Sequence, residues 1–464
     1  MGVLVQIAQL LLSLALLILV HELGHFLAAR AFRTRIDKFY LFFNPWFSVF
    51  RAKRIDGRWQ LSWFSSAPPK EWETHPDSTE WGLGWLPLGG YCKIAGMIDE
   101  SMDTDAMKKP PQPWEYRSKP AWQRFFIITG GVLVNFITAL AIYAMVLFAW
   151  GQAYIPVGNA TYGYDFCQVA LDNGFENGDR ILLVNGETPE RLRDVTNAVL
   201  YTKQAAVTVL RDDDTISLVL PSNFARQIVA SKERRPFAAE RAPFVVDSVM
   251  DGSPAHAANL QSGDSIVSFN GHNILSFMQI TDSLKASANQ LVVLGFYRNG
   301  ELILQEITPN NDGQILVTRR IAGSFLEIKR IEYGFFASIS AGIKFGTEKL
   351  VDYVRSFRFV FTREGAGSLG GFGTIAGMFT QMWDWVRFWE ITAFLSIILA
   401  FMNILPIPAL DGGHMILILY EMITRRKPND RFMERVQMVG IYLLIALMVY
   451  ANGNDLLKWI GRFF

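Results

Sequence analysis

The residues best suited to chemistry lie near the start of the chain, in the sequence His21-Glu22-Leu23-Gly24-His25. The two histidines are four positions apart, so on a helix both imidazoles project from one face with the Glu22 carboxylate beside them. This H-E-x-x-H pattern is typical of zinc hydrolases, in which the histidines bind the metal and the glutamate is the general base. It directly follows an apolar run, where ionisable side chains are costly and usually functional. A polar cluster that only marks the end of a helix is the alternative interpretation.

A zinc site that activates water needs a third protein ligand and keeps a fourth position open. The run from Asn403 to His414 reads NILPIPALDGGH, and its two prolines and two glycines break a helix and let the backbone bend. Such a break allows Asp411 to point inward as the third ligand. His414, three residues later, is the rival ligand, and the spacing alone does not decide between the two.

Four long stretches without Asp, Glu, Lys or Arg must position these side chains. They cover residues 1–21, 125–151, 391–410 and 436–454, and each is long enough to span a membrane as a helix. The first stretch begins without Lys or Arg, which argues against a secretory signal peptide. Because 50% of the residues are hydrophobic and only 19% are charged, the composition predicts membrane spans combined with a soluble part.

The charge and cysteine counts exclude several classes of protein. The balance of 44 Lys+Arg against 43 Asp+Glu lacks the basic surplus of a nucleic-acid-binding protein, so we expect no nucleic-acid partner. Two cysteines exclude a disulfide scaffold and a cysteine-rich zinc module. Basic residues crowd the span ends at 30–38, 119–124 and 425–435, which places those flanks in the cytoplasm. Both termini and residues 151–385 are then external, which in a bacterium means periplasmic.

The external segment contains a repeat. Residues 178–186 read GDRILLVNG, and residues 263–271, 85 positions later, read GDSIVSFNG. Each window predicts a strand closed by an Asn-Gly turn, so the chain should contain two tandem modules. The pattern resembles PDZ domains, which bind extended peptides by adding a strand to a sheet edge. Capture of peptide C-termini, a size filter above the membrane and a repeat without a ligand are the alternative roles. The basic segment 226–241 predicts an exposed linker between the modules.

Aromatic, strand-like segments fill the region between the first two spans. Strands are predicted at 39–43, 47–51, 58–63 and 83–91, with Asp56-Gly57 as a hairpin turn. A peptide bond inside a helix is shielded by its own turn, so a helical substrate must unwind before it is attacked. We therefore expect the edge of this sheet, including Gly89 and Gly90, to pair with unwound substrate. A sheet that only plugs the site is the alternative.

These motifs together resemble the site-2 protease family of intramembrane zinc metalloproteases, and within it the bacterial RseP type with four spans and tandem PDZ domains. The resemblance covers nearly the whole chain. It implies that His21, His25 and Asp411 bind Zn2+ and that Glu22 is the catalytic base. It also implies that Asn403 contacts the substrate backbone near the metal.

Two further positions match the family less closely. Asn135 falls on an asparagine of a second-span motif and is a candidate substrate-binding residue, but Val132 stands where the family commonly has proline. Phe372 likewise replaces a proline in a second motif, Gly371 to Ala376. These departures leave the predicted zinc site intact.

The resemblance also implies a fold and a set of partners. The expected fold class is a multi-domain membrane protein with four transmembrane α-helices, a membrane-reentrant β-sheet and two external PDZ-like α+β modules. The expected substrates are single-span membrane proteins, among them an anti-sigma factor of an envelope-stress cascade and remnant signal peptides. The lipid bilayer is the other expected partner, and the expected location is the bacterial inner membrane.

The predicted boundaries follow the motifs and the hydropathy. They are 1–32 for the first span, 33–118 for the reentrant β region and loop, 119–151 for the second span, 152–230 and 240–312 for the two modules, 325–385 for an amphipathic helical region, 386–424 for the third span, 433–455 for the fourth and 456–464 for an external tail. The apolar spacing from Tyr333 to Phe361 predicts the amphipathic helix, either on the membrane surface or as an ordinary packing helix.

Two other functions remain compatible with the sequence. A membrane-anchored zinc protease that acts on cytosolic or misfolded chains would also use H-E-x-x-H, although there the motif normally follows the spans. A non-enzymatic PDZ scaffold is the second alternative, and it predicts that Glu22 can be lost without effect.

Overall fold

The fold was analysed in a computed structural model, which describes residues 2–87, 89–97, 110–231, 235–362, 370–427 and 429–460. The chain forms two compact units. The first unit comprises Met1–Gly151, Glu332–Arg358 and Leu369–Phe464, and the second comprises Gln152–Ile331 and Phe359–Ser368.

The helices are numbered in chain order over the described residues. They are α1 (Gly2–Ala31), α2 (Ala121–Trp150), α3 (Gln168–Asp172), α4 (Leu192–Tyr201), α5 (Phe224–Ser231), α6 (Pro254–Ala257), α7 (Phe277–Ala286), α8 (Phe335–Phe357), α9 (Phe372–Ala376), α10 (Trp385–Ile404), α11 (Asp411–Thr424) and α12 (Asp430–Ile460).

The strands are short and fall into two groups along the chain. They are β1 (Ile36–Leu41), β2 (Ser48–Ile55), β3 (Arg58–Ser65), β4 (Glu80–Leu83), β5 (Tyr91–Ile94), β6 (Gln152–Tyr154), β7 (Tyr164–Phe166), β8 (Arg180–Val184), β9 (Ala206–Arg211), β10 (Asp214–Val219), β11 (Ala238–Glu240), β12 (Phe244–Val249), β13 (Ser265–Phe269), β14 (His272–Asn273), β15 (Val292–Arg298), β16 (Glu301–Ile307), β17 (Val317–Arg319) and β18 (Lys329–Ile331).

Four helices of the first unit are long and apolar enough to cross a membrane, as predicted. They are α1, α2, α10 and the part of α12 from Arg435 to Leu457. The third predicted stretch differs in its end: α10 stops at Ile404, and α11 begins only at Asp411. Pro406 and Pro408 cannot continue the helix because they lack the backbone N–H, so the run from Leu405 to Leu410 is not helical.

Helices α1 and α2 approach each other closely where glycines replace larger residues. A Cβ atom added to Gly24 would lie 2.4 Å from the backbone oxygen of Gly130, and one added to Gly130 would lie 2.6 Å from the oxygen of Gly24. Any side chain at either position would therefore push the two backbones apart. Because Gly24 lies inside the H-E-x-x-H sequence, this crossing holds the two histidines directly against α2.

The first five strands form one sheet in the order β3-β2-β4-β1-β5, in which only β1 and β4 run parallel. Asp56 and Gly57, both with positive φ, form the predicted hairpin turn between β2 and β3. Strand β5 is the last strand in this order and pairs with β1.

The strand predicted over 83–91 was wrong. Strand β4 ends at Leu83 and β5 begins at Tyr91, and the described residues between them form no ladder. Pro87 cannot donate to a ladder, and Gly84 instead donates its N–H to the oxygen of Leu41 at 2.8 Å. The loop between the strands is thereby held against the start of the β1–β2 connection, and it brings Gly90 to the beginning of β5.

The second unit contains two modules, each with its own hydrophobic core. Cores centre on Phe166 and Val207 in the first module and on Ile266 and Phe296 in the second. The predicted Asn-Gly turns are present, since Asn185, Gly186, Asn270 and Gly271 all have positive φ.

Both modules contain the same arginine–aspartate ion pair, which was not predicted from the sequence. Arg211 binds the buried carboxylate of Asp179 through Nε and Nη2, both at 2.8 Å. Arg298 binds Asp264 in the same bidentate way, at 2.8 and 2.7 Å. Each aspartate directly follows the glycine of the repeated Gly-Asp pair, so the sequence repeat corresponds to a structural repeat.

The exposed linker predicted at 226–241 was also wrong. Helix α5 occupies Phe224–Ser231, and β11 pairs antiparallel with β7. Arg241 is buried, with its Nε atom 3.4 Å from Oδ1 of Asp165. This segment is thus part of the first module.

Helix α8 is a packing helix of the first unit. A Cβ atom on Gly342 would lie 2.6 Å from Cα of Ala144, and one on Gly346 would lie 2.5 Å from Cδ2 of Leu140, both on α2. The glycines that weaken its helical propensity are therefore the residues that let it approach α2. Phe345 and Leu350 also pack against the hydrophobic core that α2 helps to form, whereas other apolar residues of the helix remain exposed, namely Phe335, Phe336, Ile339, Ile343, Val351 and Val354.

Candidate metal centre

Three side chains from two distant segments meet in the first unit. Nε2 of His21 and Nε2 of His25, one turn apart on α1, are 3.3 Å apart. Oδ2 of Asp411, the first residue of α11, lies 3.3 Å from the first nitrogen and 3.4 Å from the second. Among the residues that the structure describes, this is the one group of three His, Cys, Asp or Glu side chains placed to hold a metal ion.

The triangle has the size that a tetrahedral zinc ion requires. Zinc-bound nitrogen and oxygen atoms lie about 2.0–2.1 Å from the ion, so two ligands of a tetrahedron are about 3.3–3.4 Å apart. Oδ2 of Asp411 is buried and accepts no hydrogen bond from any other described side chain, as expected of an oxygen reserved for a cation. The residues present therefore fit the ion.

Each of the two histidine rings has a polar neighbour at Nδ1, the nitrogen that does not face the triangle. Nδ1 of His25 lies 3.0 Å from the backbone oxygen of Ile127, to which it donates. Nδ1 of His21 lies 3.1 Å from Nδ2 of Asn135 on α2, and Oδ1 of Asn135 is buried without a hydrogen-bond partner among the described residues. A metal ion bound at Nε2 requires the proton of each ring to be on Nδ1. The Ile127 oxygen favours this tautomer for His25, and for His21 the tautomer requires the Asn135 amide to be turned over so that Oδ1 faces the ring.

Asn135 is fully buried and does not line the cavity beside the metal centre. The sequence predicted a substrate contact for this residue. The structure places its side-chain amide beside His21, a contact that the sequence did not signal, and the substrate contact stays a prediction.

Glu22 lies beside the triangle at the wall of a cavity of about 340 Å³. The backbone N–H of Cys92 on β5 lies near its carboxylate, and both residues line the cavity. Gly90 passes close to the same side chain, since a Cβ atom added there would lie 3.6 Å from Cγ of Glu22 and 2.7 Å from the oxygen of Tyr40. Gly89 does not reach the site in this way, because its own added Cβ would meet the ring of Phe43 at 2.5 Å.

Asn403 lies near the end of α10, just before the chain turns toward Asp411. Its Nδ2 atom is 3.4 Å from Nε2 of His21, and the residue is buried. The amide thus reaches the edge of the metal triangle. His414 lines the cavity but does not belong to the group of three ligands.

An ion pair that was not predicted from the sequence links α11 to α2. The guanidinium of Arg124 at the start of α2 binds the carboxylate of Glu421, and its Nε also donates to the oxygen of Lys119 at 3.0 Å. Arg124 is buried. Because Asp411 and Glu421 belong to the same helix, this pair ties the segment that carries the third ligand to the helix that supports the histidines.

The cavity extends from the metal triangle along β5 and β1. Besides the residues already described, its wall includes residues that the sequence analysis did not single out, namely Lys38, Phe43, Asn44, Tyr91, Lys93, Ile94, Met97, Ala409, Leu410 and Gln437.

The sequence matches peptidase family M50 over residues 9–66 and 58–447. The similar curated proteins include metalloprotease MmpA of Caulobacter vibrioides, 24% identical over 100% of this chain and 99% of the relative. They also include a putative zinc metalloprotease of Vibrio cholerae, 24% identical over 96% of this chain and 97% of the relative. A third is the regulator of sigma E protease of Haemophilus influenzae, 27% identical over 99% of this chain and 100% of the relative.

These matches span nearly the whole chain and include both segments that form the metal triangle. They confirm the predicted family, enzyme class and zinc dependence. The chain belongs to peptidase family M50, the site-2 proteases, and is a zinc metalloprotease.

Proposed function

We propose that this protein is an intramembrane endopeptidase that cuts single-span membrane proteins within or near their transmembrane segment. The observation that carries this proposal is the placement of the ligands. His21 and His25 lie on a helix long and apolar enough to cross a membrane, and Asp411 follows the break after a second such helix. A protease directed at cytosolic chains would carry its site outside such helices.

In this proposal His21, His25 and Asp411 hold the ion and Glu22 is the general base. Zinc held there supplies Lewis acidity at the scissile carbonyl. Glu22 accepts the proton of the attacking water and later delivers it to the departing amide nitrogen. The Asn403 amide is near enough to the triangle to donate to the substrate carbonyl oxygen as negative charge develops on it.

The five-stranded sheet is proposed to enter the membrane and present the substrate. A transmembrane helix must unwind before hydrolysis, and its freed backbone groups then need hydrogen-bond partners that lipid does not supply. Strand β5 is the last strand in the order of the described sheet, and it lines the cavity together with Glu22. An unwound segment extended along this strand would lie beside the base, with Gly90 leaving room for it.

The two modules of the second unit are proposed to be tandem PDZ domains on the periplasmic side. The repeated Gly-Asp and Asn-Gly pairs and the repeated arginine–aspartate pairs support a common fold for both. The basic flanks of the spans support the orientation, with both chain ends in the periplasm. Such modules would bind peptide C-termini or admit only substrates whose outer domain has been removed.

The proposed physiological substrate is an anti-sigma factor in the bacterial inner membrane, and remnant signal peptides are a second substrate class. The full-length similarity to the Haemophilus influenzae regulator of sigma E protease supports this choice. An inner-membrane location follows from the four candidate spans together with this similarity.

The test uses a tagged single-span reporter, with and without its outer domain, co-expressed with wild-type protein or with Glu22→Gln. Wild type should convert the trimmed reporter into a shorter membrane fragment, and Glu22→Gln should leave it intact. Glu71→Gln, which removes an exposed carboxylate from the same unit, is the matched control and should behave as wild type. Equal loss of the reporter in wild type and Glu22→Gln would refute the proposal, and so would cleavage of a soluble reporter but not of the membrane-inserted one.

A further inference from the structure

Helix α12 contributes a polar side chain to the wall of the cavity that contains Glu22. Gln437 lines this cavity, and only 6% of the residue is exposed. It belongs to the part of α12 that is long and apolar enough to cross a membrane, Arg435–Leu457. A buried amide in such a helix is costly unless it has a hydrogen-bond partner. Apolar packing alone therefore does not account for a glutamine at this position.

The Gln437 amide has no hydrogen-bond partner among the residues that the structure describes. Its oxygen and nitrogen nevertheless keep some exposure, unlike fully enclosed atoms without a partner such as Oε1 of Gln9. The other carboxamide of the cavity wall, Asn44, is engaged: it accepts from the Tyr91 hydroxyl at 3.0 Å and donates to Oγ of Ser48 at 2.9 Å. Of these two carboxamides, only that of Gln437 is available to a molecule in the cavity.

The packing of α12 holds Gln437 against the segment that leads to the third zinc ligand. A Cβ atom added to Gly440 would lie 2.2 Å from the backbone oxygen of Pro408, so this glycine lets α12 approach that segment closely. Gln437 is three residues before Gly440 and therefore projects from the same face of the helix. Residues 409–411, which directly follow Pro408, line the cavity together with Gln437. The amide is thus placed beside the break between α10 and α11.

A substrate extended along β5 would need hydrogen-bond partners on more than one side. Residues 90–94 of β5 and the turn before it form one part of the cavity wall. An extended chain directs its backbone N–H and C=O groups to both of its sides, so a single strand can pair with only part of them. Lipid offers no partner for the rest. A carboxamide carries both a donor and an acceptor, so it can bind either kind of backbone group.

We propose that Gln437 is a substrate-binding residue, whose amide hydrogen-bonds the backbone of the unwound substrate segment near the scissile bond. The inference rests on the proposed function, because it needs an extended membrane substrate in the cavity. Since the ligand is the polypeptide backbone, the contact contributes to binding whatever the substrate side chains are. It gives α12, which carries none of the zinc ligands, a direct part in holding the substrate.

The experiment is an amide-to-ester scan of the substrate backbone with the full-length, zinc-loaded protein in detergent micelles. The substrate is a synthetic peptide with the transmembrane segment of the single-span reporter. At each non-scissile position within four residues of the cleavage site, one amide is replaced by an ester, which removes its N–H and weakens its carbonyl as an acceptor. The ratio of kcat/KM for the amide and the ester peptide is determined for wild type and for each variant. Taking the ratio within one variant cancels any general loss of activity.

The variants separate hydrogen bonding from shape. Gln437→Met keeps the length of the side chain without the amide, and Gln437→Leu removes the amide and changes the shape as well. Met438→Leu is the matched control, because Met438 is the next residue on α12 and does not line the cavity. Zinc content and thermal stability in micelles are measured for all three variants.

Gln437→Met should lower kcat/KM for the all-amide peptide about three- to tenfold, as expected for one hydrogen bond, with zinc content unchanged. At one or two positions, the ester should slow wild type and Met438→Leu by a similar factor but should hardly affect Gln437→Met or Gln437→Leu, because the hydrogen bond is already lost. At the other positions, each ester should have the same effect on all four proteins. Changing the substrate side chains at the coupled positions should not alter the loss caused by Gln437→Met.

Two failures are distinguishable. Cleavage that persists in Glu22→Gln contradicts the proposed peptidase site itself. Cleavage that depends on Glu22, with the same amide-to-ester ratio in wild type and in both Gln437 variants at every position, overturns only the role of Gln437. A loss in Gln437→Met that varies with the substrate side chain would also overturn backbone recognition.

Discussion

Oδ2 of Asp411 lies 3.3 Å from Nε2 of His21, although the two residues are near opposite ends of the chain. The contact exists because α10 stops at Ile404 and the chain turns before α11 begins at Asp411. The aspartate is thereby placed at a helix N-terminus, where the helix dipole favours a negative charge. A ligand at this position is fixed by the backbone break and needs no long side chain to reach the histidines.

This contact distinguishes Asp411 from His414 as the third zinc ligand, although the two residues are only three positions apart. Asp411→Asn should weaken zinc binding by more than the about 100-fold that loss of a supporting hydrogen bond costs. His414→Gln should retain one zinc ion per chain, because His414 lines the cavity outside the triangle. Zinc content after dialysis against a graded series of chelator concentrations measures both effects. A His414→Gln protein that loses its zinc as readily as Asp411→Asn would overturn the assignment.

Asn135 should act on the metal through His21. Asn135→Ala removes the side-chain amide that lies beside Nδ1 of His21, and we expect zinc affinity to fall about 10- to 100-fold. Asn135→Asp places a carboxylate oxygen there, which can accept the Nδ1 proton, and should retain most of the affinity. Competition with a zinc-binding dye compares the two variants. Equal affinity of the alanine and aspartate variants would show that Asn135 does not support the ring.

The sequence predicts the parts of this site that depend on local patterns. The spacing of His21 and His25 defines a helical face, and Pro406 and Pro408 signal a break before Asp411. Contacts between distant segments leave no such pattern, and this is why the Arg124–Glu421 pair was not predicted.

The loop before β5 shows a different limit of sequence analysis. Its aromatic and apolar residues favour a strand over 83–91, but Gly84 and Pro87 do not join a ladder, and Gly84 binds the oxygen of Leu41 instead. Tertiary contact therefore overrode the local preference. The same loop brings Gly90 close to Glu22, a contact between distant segments that no local pattern in the sequence signals.

Gly131 should tolerate no side chain. A Cβ atom there would lie 2.5 Å from Nε2 of His25 and 2.8 Å from Cε1 of His21, so Gly131→Ala must displace the metal-binding rings or separate α1 from α2. We expect loss of zinc and of activity, although alanine favours a helix over glycine by about 1 kcal/mol. Gly453→Ala in α12 is the matched control, because a Cβ there meets nothing within 4 Å. Zinc content and thermal stability in micelles measure both, and a zinc-loaded, active Gly131→Ala protein would contradict the close crossing.

Removing only one partner of the Arg124–Glu421 ion pair should lower the free energy of unfolding strongly. Arg124→Gln leaves the Glu421 carboxylate without its guanidinium partner, and we expect a loss of about 3–5 kcal/mol in the free energy of unfolding. The double variant Arg124→Met/Glu421→Leu should recover most of this loss, because neither charge remains buried. Denaturant titration in micelles gives the free energies of unfolding of wild type, of Arg124→Gln, of the matching single variants Arg124→Met and Glu421→Leu, and of the double variant. A double variant as unstable as the sum of the single variants would show that the two residues are not coupled.

Gly90 should matter for catalysis more than Gly89, although both precede β5. In Gly90→Ala the added Cβ would lie 2.7 Å from the backbone oxygen of Tyr40. Because the β1 ladder fixes that oxygen, β5 must shift relative to Glu22. A shift of about 1 Å at a reacting group costs about 100-fold in rate, and we expect such a fall in kcat with zinc content unchanged. Alanine at Gly89 would meet only the outer edge of the Phe43 ring, at 2.5 Å from Cε2, and this ring can turn aside. Gly89→Ala should therefore lose less than tenfold. If the two variants lost equal activity, or if Gly90→Ala lost its zinc, the strand would not be positioned by the contact between Gly90 and the Tyr40 backbone.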